Sequence, residues 1–360
     1  MTTSHTSRTN DLQLEIERLV ERAVNARHVH SLVLAVRSDD GQIDIGSAAG
    51  GVEPGDSYFV ASIAKLFTAT LVMQLIDEGR LDLDARIHDH LQGVDLHGIH
   101  THKGHDYSDR ITIQHLLQHT SGLPDYFAGQ LQDDLAKNCD RAYTLDDVLD
   151  IARANDAEFP PGDRNGKRST YCDTNYQLLS AIIENATGSS LAANLQTRIT
   201  GPLDLADTYL YGPERTAGRP EPLPLRHRDR QLTIPLVLAS ERGAGGIVST
   251  AADQVRFLQA FHAGELFDPV NLDRMQQWNR IFFPLEYGYG LMRYRLPRFL
   301  TPFGALPELI GHSGVTGSFS FSNPEAGLHI AGTFNQLDKA SRPYGFMSKV
   351  AKTAIDHLHG

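Results

Sequence analysis

Apolar residues recur at helical spacing near the start of the chain. Over residues 11 to 27, Leu12, Leu14, Ile16, Leu19, Val20 and Val24 are separated by charges, which predicts an amphipathic helix laid on a core. The pattern then shortens to strand alternation in SLVLAVRSDDGQIDIGSAAG, two short strands around an Asp-Asp-Gly turn, read as a hairpin. After Ser62 comes IAKLFTATLVMQLIDEG, apolar on nearly every side and ending at Gly79, which predicts a buried helix with a glycine C-cap.

From about residue 80 to 285 the patterns are mostly helices and loops. ITIQHLLQHTSG, TLDDVLDIARAN, NYQLLSAIIENATG and TAADQVRFLQAFHAG each carry helical periodicity. Strand patterns return in YGYGLMRYRL, HSGVTGSFSFSNP and GLHIAGTFNQ, which predict an antiparallel meander, and GFMSKVAKTAIDHLH reads as a closing helix. The fold class expected is α/β of the α+β type: an antiparallel sheet flanked by terminal helices, with an inserted helical lobe. Residues 1–79 and 286–360 would form the discontinuous sheet lobe and residues 80–285 the helical one. The catalytic cleft is expected between them.

Composition narrows the functional classes. The chain has 360 residues, 41% hydrophobic and 21% charged, with a net charge of −11, which argues against general attraction to nucleic acid or anionic membranes. Two cysteines, Cys139 and Cys172, give no disulfide framework. No apolar h-region opens the chain and no stretch approaches the ~20 apolar residues of a membrane span, so a cytoplasmic location is expected, or a periplasmic or secreted one if a leader has been trimmed away.

The chemistry begins at Ser62-Ile63-Ala64-Lys65. A serine hydroxyl needs an adjacent base to act as a nucleophile, and residues three apart on a helix share a face, so Lys65 can reach Ser62. Lys65 sits in an otherwise apolar run and is the only lysine in the chain with a serine three positions earlier. The bland reading, an N-cap serine followed by a solvated lysine, does not explain that apolar setting. A second element is Tyr171-Cys172-Asp173: a phenol beside a lysine can relay a proton, and Asp173 can hydrogen-bond Lys65 or the substrate. Thr174 is an equally good N-cap, so capping does not require Asp173. The third element is His312-Ser313-Gly314, read as opening an edge strand along which substrate approaches. There the Val315 N–H pairs with that of Ser62 as an oxyanion hole, and His312 and Ser313 contact polar groups of the substrate.

Together these segments resemble the serine β-lactamase and penicillin-binding-protein superfamily, in its branch similar to class C β-lactamases, esterases and D-aminopeptidases. The resemblance is carried by VASIAKLFTATLVMQLIDEGRLDLD, ITIQHLLQHTSGLPDY, YCDTNYQLLSAIIENATG, GAGGIVSTAAD and GHSGVTGSFSFSNP, in that order. It implies Ser62 as nucleophile, Lys65 and Tyr171 as the proton-transfer pair, and the Ser62 and Val315 amides as oxyanion hole. Two departures are visible. Tyr-Cys-Asp replaces the usual Tyr-Ser-Asn or Tyr-Ala-Asn, and an aspartate beside Lys65 favours its ammonium form and shifts weight to Tyr171. His-Ser-Gly replaces Lys-Thr-Gly, and a histidine is largely neutral at pH 7, so ester or amide hydrolysis is expected over efficient β-lactam hydrolysis.

The leading expectation is thus a serine hydrolase acting on a small-molecule or peptidic ester or amide without a cofactor. A penicillin-binding sensor, an acyltransferase and a weak β-lactamase of the same fold are the competing readings. His88, His90, His97, His100, His102 and His105 crowd one polar segment without a helical His-x-x-x-His pair, so no metal is assigned there. GHSGV lacks the second glycine of a lipase elbow. The Pro-, Gly- and Arg-rich run from residue 212 to 231 is expected to be a surface loop near the cleft.

Overall fold

The strand alternation after residue 31 folds into the expected hairpin, β1 (Leu32–Ser38) against β2 (Asp44–Ala49), antiparallel in register Val36↔Ile45. This is seen in a computed structural model that describes residues 2–25, 28–212, 219, 221–297, 306–338 and 341–359. The later strands are β3 (Asn279–Phe282), β4 (Leu285–Tyr287), β5 (Met292–Tyr294), β6 (Leu309–Ser313), β7 (Ser318–Asn323) and β8 (Leu328–Thr333). They form one eight-stranded sheet in the order β3-β4-β5-β6-β7-β8-β1-β2. All its pairings are antiparallel, and the β1–β8 ladder from Val33↔Thr333 to Ser38↔Leu328 joins the two ends of the chain. Because β3 belongs to this sheet, the sheet extends ahead of residue 286.

Side chains alternate across a strand, so each face of β1 meets a different layer. Leu32, Leu34 and Val36 pack with Leu12, Ile16 and Val20 of α1 (Thr2–Val24) and with Met347, Val350 and Ala354 of the C-terminal helix Arg342–His359. Val33 and Ala35 pack on the opposite side with α2 (Ala64–Asp77), α3 (Thr174–Thr187) and α4 (Ala251–His262). Helix α2 is buried from Ala64 to Met73, lysine included, and the chain leaves it through Gly79 at φ +68°. Burial on every side explains why its sequence shows no polar face.

A second, three-stranded sheet positions the segment that leads into Ser62. Tyr58–Phe59 pairs with Ile247–Ser249, which pairs with Tyr209–Leu210. The Val60 N–H donates to the Ile247 carbonyl at 3.0 Å, and this ties the chain entering Ser62 to the segment that follows Glu241. Residues 213–218 and 220 of the Pro-, Gly- and Arg-rich loop lie outside the described residues. Its described part forms a small hairpin, Arg226–His227 against Arg230–Gln231. Both cysteines are free thiols, Cys139 exposed and Cys172 buried. Among the described residues, no helix is long and apolar enough to cross a membrane.

Candidate active site

Ser62 lies in a single 3-10 turn, Ala61–Ile63, that leads directly into α2. Ala61, just before it, is held at φ +51°, a left-handed conformation that costs energy in a residue with a side chain. The turn between β6 and β7 is stitched onto this segment: Ser318 Oγ donates to the Val60 carbonyl at 2.7 Å and Thr316 Oγ1 to that of Phe59 at 3.2 Å. Contact is so close that a Cβ at Gly314 would stand 2.5 Å from the Val60 carbonyl oxygen and 2.8 Å from Ala61 Cβ. Glycine is therefore required there for backbone approach. The same stitching brings Val315 to the cavity that Ser62 lines.

Lys65 follows on the first turn of α2 and is fully buried. Its Nζ donates to Ser62 Oγ at 3.2 Å, to Asp173 Oδ1 at 2.5 Å and to the Ala244 carbonyl at 2.7 Å. Three acceptors match the three donors of an ammonium group. Asp173 occupies the N-cap position of α3 but makes no side-chain cap, so its carboxylate is free to serve Lys65 instead. Thr174 turns away to Pro124 and Tyr126.

Tyr171 packs its ring 5.0 Å from Lys65 Nζ, and its buried hydroxyl faces the Ser62 side chain. Burial pushes the phenol well above its ordinary pKa; Asp173 adds to the rise, and the nearby Ser62 side chain opposes it. The resting phenol is therefore protonated. A protonated phenol has a proton to hand on, and it can take one from Ser62 only after giving up its own.

The third element sits differently from the expectation. His312 and Ser313 end strand β6 rather than opening a strand, and β6 lies inside the sheet between β5 and β7. The ladder to β5 stops at the Met292↔Gly311 pair, so beyond Gly311 the strand has one neighbour only and its other side is open. His312 Nδ1 lies 2.8 Å from the Ser313 carbonyl, to which it donates, leaving Nε2 to accept from the Tyr287 hydroxyl at 3.1 Å. Burial, with the Lys65 charge, lowers its pKa to about 3, so His312 is neutral at pH 7. Ser313 Oγ is paired with the Tyr344 hydroxyl at 2.6 Å.

The Beta-lactamase family profile matches residues 16–351. The chain belongs to the Beta-lactamase family. Among curated relatives of this Beta-lactamase-family chain, Penicillin-binding protein 4 of Amycolatopsis lactamdurans is 31% identical over 64% of this chain and 58% of that protein. Penicillin-binding protein 4* of Bacillus subtilis is 27% identical over 71% of this chain and 55% of that protein. The chain thus spans little more than half the length of these relatives. Among solved structures, a D-stereospecific amidohydrolase from Streptomyces sp. superposes with a TM-score of 0.75 at 28% identity, covering 90% of this chain and 94% of that one. A D-amino acid amidase from Ochrobactrum anthropi SV3, complexed with D-phenylalanine, gives a TM-score of 0.77 at 24% identity over 96% and 99% of the chains; at that identity it shows the fold.

Within this Beta-lactamase-family fold the site holds groups that the motif reading did not single out. His119 is buried with its ring 4.4 Å from that of Tyr171, and its Nδ1 accepts from the Cys172 N–H at 3.2 Å. Burial holds this imidazole well below its usual pKa, neutral beneath the phenol. Asp125 and Glu241 line the cavity beside Ser62. His119 and Asp125 fall in QHTSGLPDY, a segment that carried the family resemblance, but no local spacing marks their roles. The histidine-rich segment does not assemble: His100 bonds the Ser121 carbonyl and His102 the Ala157 carbonyl, and among the described residues no three potential ligands gather for a metal.

A second serine also meets triad distances. Ser322 Oγ lies 2.8 Å from His329 Nδ1, and His329 Nε2 lies 2.9 Å from Asp39 Oδ1. Ser322 and His329 are 0% and 1% exposed inside the sheet, so no acyl group can reach that hydroxyl. Of the two serines, Ser62 is the one that lines a cavity.

Proposed function

We propose that this chain is a serine hydrolase that cleaves an ester or amide bond through an acyl-enzyme on Ser62. The observation that carries the reading is the 3.2 Å contact between Lys65 Nζ and a cavity-lining Ser62 Oγ, with Tyr171 and Val315 at the same cavity. Ser62 Oγ attacks the carbonyl carbon while its own N–H and that of Val315 stabilise the oxyanion. Asp173 takes one proton across its 2.5 Å contact with Lys65, which frees a lone pair on Nζ to accept the Ser62 proton. The protonated Tyr171 phenol delivers its proton to the leaving nitrogen or oxygen and is recharged by Lys65. Water then repeats the steps to release the acid, and no cofactor enters.

An amide or ester of a small amino-acid-like molecule fits better than a β-lactam. The D-stereospecific amidohydrolase and the D-amino acid amidase complexed with D-phenylalanine share the fold. A neutral His312 offers no cation to the carboxylate of a β-lactam. The test is the intact mass of the protein after exposure to a fluorophosphonate, a p-nitrophenyl ester, a D-amino-acid amide and a cephalosporin. A single adduct, absent in Ser62→Ala, with multiple turnovers on the ester or amide, is the expected result. Ser62→Ala should lose turnover by about 10⁴-fold or more. Full turnover in that variant overturns the mechanism, and adducts without any turnover support a sensor instead.

A further inference from the structure

Tyr171 stands in a stretch, residues 168–172, that forms neither helix nor strand. A proton donor on such a stretch must be held from outside if it is to meet a leaving group within hydrogen-bond reach. His119 holds it from both sides. The His119 carbonyl accepts the Thr170 N–H at 3.0 Å, and its Nδ1 accepts the Cys172 N–H at 3.2 Å. Tyr171 is the residue between those two anchors, and its ring lies 4.4 Å from the imidazole. The imidazole is itself fixed. The Asn175 side-chain amide of α3 lies 3.1 Å from Nδ1, and Asn175 Oδ1 accepts the Ser121 hydroxyl at 2.7 Å. Because a backbone N–H donates to Nδ1, the ring proton sits on Nε2 and the ring is uncharged. His119 makes these contacts from a left-handed backbone, φ +57°, just beyond the helix Ile113–Leu117. Glycine or asparagine is the usual occupant of a left-handed helix terminus, and a larger side chain there is strained. The contacts with the Tyr171 segment offset that strain.

We propose that His119 is the positioning residue of Tyr171, setting where the phenol stands against Ser62 and the leaving group. The inference rests on the hydrolase reading, with Ser62 as nucleophile and Tyr171 as proton donor. Tyr171 lines the Ser62 cavity and His119 does not, so His119 acts through the tyrosine. As the bond from the carbonyl carbon to the leaving nitrogen or oxygen breaks, its electron pair passes to that atom and the Tyr171 proton joins it. An amide nitrogen or an alkoxide needs that proton to depart, whereas p-nitrophenolate leaves as an anion. A residue that serves only stability would lower turnover of every substrate alike. Loss of a residue that places the donor falls on the basic leaving groups alone, and a displacement of about 1 Å is enough to cost about 10²-fold.

The experiment compares D-phenylalanine amide, its methyl ester and its p-nitrophenyl ester in wild type, His119→Ala, Tyr171→Phe and the double variant. In His119→Ala, kcat on the amide and methyl ester should fall about 10²-fold with KM held within about threefold, while the p-nitrophenolate burst slows by less than about threefold. In the Tyr171→Phe background the same substitution should remove less than about twofold more, because the group it places is already gone. If His119→Ala does not fold, His119→Asn takes its place. Asparagine suits the left-handed backbone and its Oδ1 can accept the Cys172 N–H, so only the ring is lost and the selective loss should be about tenfold. An equal loss on all three substrates, or the full loss repeated in Tyr171→Phe, overturns the proposal and leaves the nucleophile standing. Wild-type turnover of the p-nitrophenyl ester alone, or of none of the three, overturns it as well, since no proton is then handed on. If Ser62 takes neither an acyl group from these substrates nor a fluorophosphonate, the hydrolase reading itself falls.

Discussion

Glu241→Gln should make the protein more stable in alkali, and the gain can be worked from the site. Burial lifts the Glu241 carboxyl from 4.5 to about 8, with the Asp173 charge adding to it. Its proton is thus bound more tightly in the folded chain than in the unfolded one. Stability from this group is greatest below pH 4.5, falls as pH rises toward 8 and is flat above that. At about 1.4 kcal/mol per tenfold change in proton affinity, the loss between pH 5 and pH 9 is about 4 kcal/mol. Glutamine matches the protonated acid in shape and does not titrate, so it escapes the loss. Unfolding entropy of about 2 cal/mol/K per residue gives about 0.75 kcal/mol/K for a chain of 360 residues, so the difference appears as about 5 °C in Tm. Calorimetry of both proteins at pH 5 and pH 9 reads it. The variant should match wild type at the lower pH and exceed it by about 5 °C at the higher. Taking the difference between the two proteins cancels the other titrating groups, and the response of Asp125 to losing a negative neighbour acts in the same direction. A Tm difference that does not change with pH would refute the claim that Glu241 is held protonated by its cavity.

Three further outcomes follow from the same geometry. Tyr171→Phe should cut kcat by about 10²- to 10⁴-fold, the usual worth of a positioned proton donor. Normal turnover in that variant would remove Tyr171 from the mechanism. Lys65→Met leaves Asp173 uncompensated and should cost about 3–5 kcal/mol of stability in denaturant titration, with most of it restored in Lys65→Met/Asp173→Asn. An additive double variant would mean that the two groups are not an energetic pair. Ser322→Ala should leave turnover and fluorophosphonate labelling unchanged, since that hydroxyl is sealed inside the sheet; loss of labelling there would reassign the nucleophile.

How far the sequence carried these conclusions differs from element to element. The β1–β2 hairpin and α2 were legible because their burial is simple: alternate faces in one case, all faces in the other. His312 was misplaced along its strand because GHSGVTGSF alternates weakly and is rich in glycine, which hides the turn at residues 314–317 between two strands. Ser62 and Lys65 were legible from spacing, since a helix turn converts an interval of three residues into a contact. Asp173 was legible as a partner of Lys65 only beside that pair, and the structure adds that it forgoes capping to serve the lysine.

Asp125 and Glu241 were not legible by any such route. They come from separate loops, one after the short helix Ile113–Leu117 and one at the end of the helix Pro235–Ser240. Burial in the cavity sets their behaviour, and Lys65 has no donor left to offset it, since its three go to Ser62, Asp173 and the Ala244 carbonyl. A motif records which residues are neighbours along a helix or strand, whereas the charge of a cavity depends on everything the fold brings to its wall. The same serine–lysine pair can therefore face cavity walls of quite different charge. In this chain it is the tertiary pairing of Tyr58–Phe59 with Ile247–Ser249, far from any motif, that draws the Glu241 segment against Ser62.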